Sequence, residues 1–149
     1  MDLPGTVNDI LDHKRTEVWS VAPDTTVYQA IQLMADKNIG ALPVLDDNRM
    51  VGIISERDYT RKVILKGRAS RDTPVRDIMT RDPVLAVPGD TIVECMRMMT
   101  EHKVRHLPVM DGSTMLGIVS IGDLVNWIIS AQTVAIDQLE KYITGAYPG

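Results

Sequence analysis

The chain contains its own sequence twice. Over its 149 residues, Pro23–Tyr59 lies on Pro88–Leu124 at a shift of 65 with no gap, and 12 positions are identical. They are Pro23, Thr26, Met34, Leu42, Pro43, Val44, Asp46, Met50, Gly52, Ile53, Ser55 and Asp58. Unrelated segments of average composition match at roughly one position in fifteen. A leader repeats as well: Val7-Asn8-Asp9-Ile10-Leu11 matches Val75-Arg76-Asp77-Ile78-Met79, now at a shift of 68. A unit of about 60 residues buries too little surface to be comfortably stable alone. Two copies packed face to face are therefore expected to share one core.

Each copy carries the same order of signals. Thr26-Val27-Tyr28-Gln29 and Thr91-Ile92-Val93-Glu94 read as capping boxes, with Thr at the N-cap and Gln or Glu at N3. Apolar residues follow at helical spacing: Val27, Ala30, Ile31 and Met34 in one copy, Ile92, Cys95, Met96 and Met99 in the other. Two short apolar runs come next, Leu42–Leu45 and Met50–Ile54 around Asp46-Asp47-Asn48. Their counterparts are Leu107–Met110 and Met115–Val119 around Asp111-Gly112-Ser113. Both pairs predict a β-hairpin. A second helix is expected to open after Ser55 and after Ser120. With strands at Val18–Val21 and Val84–Val87, the fold class is α/β (α+β). Two β-α-β-β-α repeats pack with pseudo-twofold symmetry, followed by a C-terminal helical extension. The last helix carries a stripe of Leu124, Ile128, Ala131, Ala135, Leu139 and Tyr142, suited to packing on its own domain or to pairing two chains. Trp19 and Trp127 are expected in the core or in a subunit contact.

Composition excludes several classes. The net charge of −4 is wrong for a general nucleic-acid binder. One cysteine, Cys95, excludes an internal disulfide framework and a Cys-rich zinc module. No apolar run is long enough for a membrane helix, and Met1–Ile10 does not resemble a signal peptide, so a cytoplasmic location is expected. His102 and His106 are four apart, but the helix is expected to end between them, and no metal site is assigned. Phosphate loops, zinc-protease motifs and nucleophile elbows are missing, so no residue is named as catalytic and the chain is not read as an enzyme.

The repeated motifs are Val-x-Asp-Ile-(Leu/Met), Pro-x-x-Thr, Leu-Pro-Val-x-Asp and Gly-Ile-(Ile/Val)-Ser-x-x-Asp. In that order and register they resemble the cystathionine β-synthase (CBS) domain, used in tandem as a Bateman module, as in stand-alone bacterial CBS-pair proteins. The resemblance implies CBS domain 1 at 7–65, a linker at 66–74, CBS domain 2 at 75–130 and a helical tail at 131–149. It further implies a non-catalytic regulatory module, a homodimer acting on an unidentified regulated protein, with no membrane or nucleic-acid partner. Its clefts would bind an adenosine-containing ligand: AMP first, then ADP, ATP or NAD(H), and S-adenosylmethionine after them. The other reading of the chain is a ligand-free structural dimerisation module.

In the family, the Ser and Asp of the Gly-Ile-(Ile/Val)-Ser-x-x-Asp motif sit by the ribose, which maps onto Ser55 and Asp58, and onto Ser120 and Asp123. The same residues make a near capping box that needs no ligand. Basic residues before Leu-Pro often meet phosphates. These are Arg105 and His106 in copy two, but Gly40 and Ala41 in copy one. Residues 56–81 are rich in basic side chains within an acidic protein, a pattern that suggests an anionic ligand. Arg57 and Arg61 share a helix face and Lys62 is adjacent, so these are expected to serve phosphates in the first cleft in place of the missing pair. Lys14 and Thr80 are further candidates. A ligand phosphate is expected to favour the imidazolium of His106, with binding weakening as pH rises past neutrality. The reading requires Asp58 and Asp123 to open onto a groove. Burial in ion pairs away from one would defeat it.

Overall fold

The computed structural model describes residues 5–14 and 17–143. The elements in order are α1 (Val7–Lys14), α2 (Val27–Lys37), β1 (Ala41–Asp46), β2 (Arg49–Ser55), α3 (Glu56–Tyr59), α4 (Ile92–His102), β3 (His106–Asp111), β4 (Thr114–Ser120) and α5 (Ile121–Ile143). A π-helical turn, Thr60–Ile64, continues α3, and a 3₁₀ turn spans Val75–Asp77. Two antiparallel hairpins, β1–β2 and β3–β4, form the two sheets.

The local rules act as the repeats require. Thr26 Oγ1 accepts from Gln29 N–H at 3.1 Å and Gln29 Oε1 accepts from Thr26 N–H at 3.2 Å, a complete capping box. At α4 only the threonine half forms, Thr91 Oγ1 accepting from Glu94 N–H at 3.1 Å, so the expected second box is a single cap. Asn38 and Lys103 end α2 and α4 in the left-handed conformation. The first hairpin turns on Asp47 and Asn48, both at positive φ, which matches the right-handed twist of the strands. A one-residue register shift falls at Val44/Leu45 in one hairpin and at Val109/Met110 in the other. The expected strands at 18–21 and 84–87 shrink to single parallel bridges, Val21 to Val44 and Ala86 to Val109.

In place of one shared core there are two, and each is completed by the leader of the other copy. Val75, Ile78 and Met79 of the second leader lie with Val27, Met34, Leu42 and Ile54. Val7 and Ile10 of the first leader lie with Ile92, Cys95, Leu107 and Leu124. The repeated glycine of the Gly-Ile motif makes room for this exchange. A Cβ on Gly52 would stand 2.8 Å from the Thr80 carbonyl, and one on Gly117 3.1 Å from the end of Leu11. Thr80 and Ile53 exchange backbone hydrogen bonds of 2.8 and 3.0 Å, so the second leader is stitched directly to β2.

One apolar residue, Met96, sits outside the core face on which the helical spacing put it. Met96 is 38 % exposed and Trp19 36 % exposed, so neither is in the core, whereas Trp127 packs against the second core. Along α5, Leu124 and Ile128 pack inward but Leu139 is 58 % exposed, because the helix runs past its own domain. Ala135 and Tyr142, expected on the same stripe, lie outside the described side chains. Among the described residues no helix is long and apolar enough to cross a membrane.

Candidate ligand-binding clefts

Two clefts open along the seam between the copies, with volumes of about 530 and 400 Å³, within the range of small-molecule sites. Each is built from both copies. The larger joins Ser55, Arg57, Asp58, Arg61, Lys62 and Thr80 to Arg105 and His106. The smaller joins Ser120, Asp123 and Lys14 to Gly40, Ala41 and His106. All the residues singled out in the sequence therefore border one cleft or the other, and His106 borders both. The grouping differs from the expected one in a single respect. Gly40 stands between the clefts and Ala41 lines the smaller, so the basic pair missing from copy one is missing from the Asp123 cleft.

The two Ser-x-x-Asp motifs cap their helices. Ser55 Oγ accepts from Asp58 N–H at 3.2 Å, and Asp58 Oδ2 accepts from Ser55 N–H at 2.9 Å and from Ser55 Oγ–H at 3.1 Å. Ser120 and Asp123 repeat the reciprocal backbone bonds at 3.1 and 2.8 Å. The carboxylates thus turn back onto the cap rather than pointing outward. α3 holds only four residues before the backbone widens into the π-turn, so little macrodipole stands behind the first cap.

Both aspartates are ion-paired, and both line a cleft. Asp58 is 8 % exposed; its Oδ1 accepts from Thr80 Oγ1–H at 3.3 Å and lies 2.9 Å from the Lys62 ammonium in an ion pair. Both oxygens of this carboxylate are therefore engaged, Oδ2 by two hydrogen bonds and Oδ1 by one hydrogen bond and the ion pair. Asp123 accepts from Lys14 Nζ at 2.9 Å on Oδ2, the oxygen that also caps Ser120. Its Oδ1 takes no hydrogen bond from any described residue and keeps its capacity for a ligand. Each lysine is steadied by a carbonyl, Lys62 by Ile78 O at 2.9 Å and Lys14 by Ile118 O at 3.3 Å.

Several lining residues escaped the sequence reading. Lys103 enters the larger cleft, and Arg57 donates to its carbonyl at 2.7 Å, tying α3 to the end of α4 across the seam. Asp82, Pro83 and Val84 complete that wall. Trp19, Lys37 and Glu17 line the smaller cleft, with the Lys37 ammonium 4.1 Å from the Trp19 ring centroid. The cap position was the available signal, since Asn38 and Lys103 occupy the same place in the repeat. Burial pushes the His106 imidazole below its ordinary value of 6.5. Asp123 opposes that shift, while Lys14, Arg105 and Arg57 reinforce it. The free protein therefore presents a neutral imidazole near pH 7. Burial also raises the Cys95 thiol to about 11, helped by Asp90 and Glu94.

Residues 7–64 and 75–130 match the family model described as "CBS domain". The fold is that of a putative signal-transduction protein with CBS domains from Burkholderia ambifaria. The two share 48 % identity with a TM-score of 0.81, over 86 % of this chain and 96 % of that one. The mitochondrial CBS domain-containing protein CBSX3 of Arabidopsis thaliana is 37 % identical over 152 residues, covering 95 % of this chain and 73 % of the relative. A hexameric CBS-CP12 protein from bloom-forming cyanobacteria is 27 % identical with a TM-score of 0.73, over 81 % of this chain and 70 % of that one.

Proposed function

Because the chain belongs to the CBS domain family and carries two such domains in tandem, we propose that it is a non-catalytic regulatory module. Its seam clefts bind adenosine-containing nucleotides, AMP first among them. One observation carries this reading: each cleft sets the carboxylate of one copy opposite polar or basic groups of the other. A ligand that bridges carboxylate and cations bridges the two copies. The free energy of binding then depends on how the copies are set against each other, and a ligand shifts that setting only through its differential affinity. The output passes to a partner protein as a change in shape.

Thermal unfolding with AMP, ADP, ATP, NADH and S-adenosylmethionine tests the reading. A ligand present at a hundred times its Kd adds about 2.7 kcal/mol of stability. A clear rise in Tm with at least one adenosine ligand is expected. Unmoved melting with all of them would favour the ligand-free dimerisation module.

Self-association with a second copy is part of the same proposal. Val93 and Met96 on α4, and Ile121, Val125 and Ile129 on α5, are exposed apolar residues, and the cyanobacterial relative is hexameric. Light scattering on the wild type and on Val125→Asp is expected to show a dimer that dissociates. A monomeric wild type contradicts it.

A further inference from the structure

Superposing the copies at the 65-residue shift exposes a segregation of charge. Arg57, Arg61 and Lys62 correspond to Gly122, Asn126 and Trp127, while Lys103, Arg105 and His106 correspond to Asn38, Gly40 and Ala41. All six line the Asp58 cleft, His106 bordering the other cleft as well, and every counterpart is uncharged; Glu56, Asp58 and Asp82 border the same cleft, so five lysine and arginine side chains meet three carboxylates there. Within that cleft Lys62 is paired with Asp58. Among the described residues, no carboxylate lies within ion-pair distance of Arg57, Arg61, Lys103 or Arg105. Glu56 and Asp82 offset part of the charge of these four cations without pairing with them, and a multivalent anion relieves the repulsion that remains. Guanidinium groups match phosphate oxygens in geometry as well as charge.

The other cleft is balanced in charge, with Lys14 and Lys37 against Glu17 and Asp123. Lys14 is spent on Asp123, Lys37 lies over Trp19, and Glu17 offsets the remaining charge. Oδ1 of its carboxylate takes no hydrogen bond from any described residue, whereas both oxygens of Asp58 are already engaged and the residue is 8 % exposed. The free diol acceptor thus stands where the phosphate cations are missing. The phosphate cations stand where the diol acceptor is taken.

We propose that the clefts divide the two ends of a nucleotide between them. The Asp58 cleft is a phosphate site, binding a chain of two or three phosphates more tightly than the single phosphate of AMP and filled once per chain. The Asp123 cleft takes a nucleoside diol without phosphates, with Trp19 as its aromatic wall. The nucleoside half rests on the function proposed above. The phosphate half stands on charge alone.

Isothermal titration of the full chain with inorganic tripolyphosphate, ATP and adenosine separates them. Tripolyphosphate and ATP are expected to compete for one site per chain. Arg57→Ala combined with Arg105→Ala is expected to weaken both by about a hundredfold, the loss of two charge-assisted contacts, and to leave adenosine unchanged. Asp123→Asn is expected to weaken adenosine about tenfold and leave tripolyphosphate unchanged. Two tripolyphosphate sites, or one that survives the double arginine substitution, overturn the phosphate assignment. Tripolyphosphate binding without adenosine binding overturns the nucleoside assignment and the proposed function with it, and upholds the phosphate cleft. Should the double variant fail to fold, Gly122→Arg with Asn38→Lys decides. A Cβ at Gly122 has its nearest neighbour at 3.6 Å, and lysine already occupies the position equivalent to Asn38. Gain of a second, weaker tripolyphosphate site supports the proposal, and unchanged one-site binding overturns it.

Discussion

Gly52→Ala tests whether the second leader holds the first copy together. The new Cβ would lie 2.8 Å from Thr80 O, 2.9 Å from Met79 Sδ and 3.0 Å from Met79 Cγ. The methionine can swing aside, but the carbonyl is backbone and is hydrogen-bonded to Ile53 N–H at 3.0 Å. Relief therefore requires the leader to lift from β2, at the expense of that bond and of Thr80 N–H to Ile53 O at 2.8 Å. Two hydrogen bonds at about 1 kcal/mol each, plus some overpacking, give a loss of about 2–4 kcal/mol. At this chain length that lowers Tm by roughly 4–16 °C. Gly117→Ala is the internal control. It sits at the same repeat position but meets only the end of the Leu11 side chain, at 3.1 Å, and is expected to cost under about 1 kcal/mol. Urea unfolding of both variants beside the wild type reads the difference. Equal stability of the two variants would refute the claim that the leader exchange is what these glycines serve.

Three further outcomes follow from the site. Asp123→Ala removes an accepted cap bond from Ser120 and should lower stability by about 0.5–2 kcal/mol in urea unfolding. Adenosine-ligand affinity should fall with it by about ten- to a hundredfold in calorimetry. His106 has a folded pKa below its unfolded one, so the native state resists a proton that the unfolded chain accepts. Stability is therefore expected to be unaffected by this group above about pH 6.5 and to fall as pH drops below it. His106→Gln should flatten that decline. A bound phosphate beside Arg105 raises the same pKa, so affinity is expected to strengthen as pH falls below neutrality, a lower window than the sequence suggested. Cys95 is fully buried and its thiol sits near 11, so it should react with a thiol reagent at pH 8 only after denaturation. Fast labelling of the native protein would contradict its place in the second core.

The repeat made the fold legible because its signals are local. Thr caps, the Asp47-Asn48 turn and the short apolar hairpin runs each act over a few residues, and all formed. What stayed hidden depends on distant partners. Nothing local in Val7–Leu11 or Val75–Met79 says that each leader packs with the other copy, since both are apolar and either core would accept them. The same holds for the short strands, reduced to single bridges where their neighbours offer only one edge residue, Val44 or Val109. At the site, residue types were readable but their pairing was not. Arg105 shares a cleft with Asp58, an arrangement set by the packing of the copies and invisible to spacing along the chain. Lys103 was missed because a helix end normally explains itself, and only the carbonyl contact from Arg57 places it in the cleft.

Backbone amide shifts on titration with AMP locate binding most directly. Because Gly40 borders both clefts and Ser55 and Ser120 cap the two carboxylates, the largest changes are expected at those three amides and their neighbours along the seam. Changes confined to the exposed face of α5, or none at saturating AMP, contradict a nucleotide site between the copies.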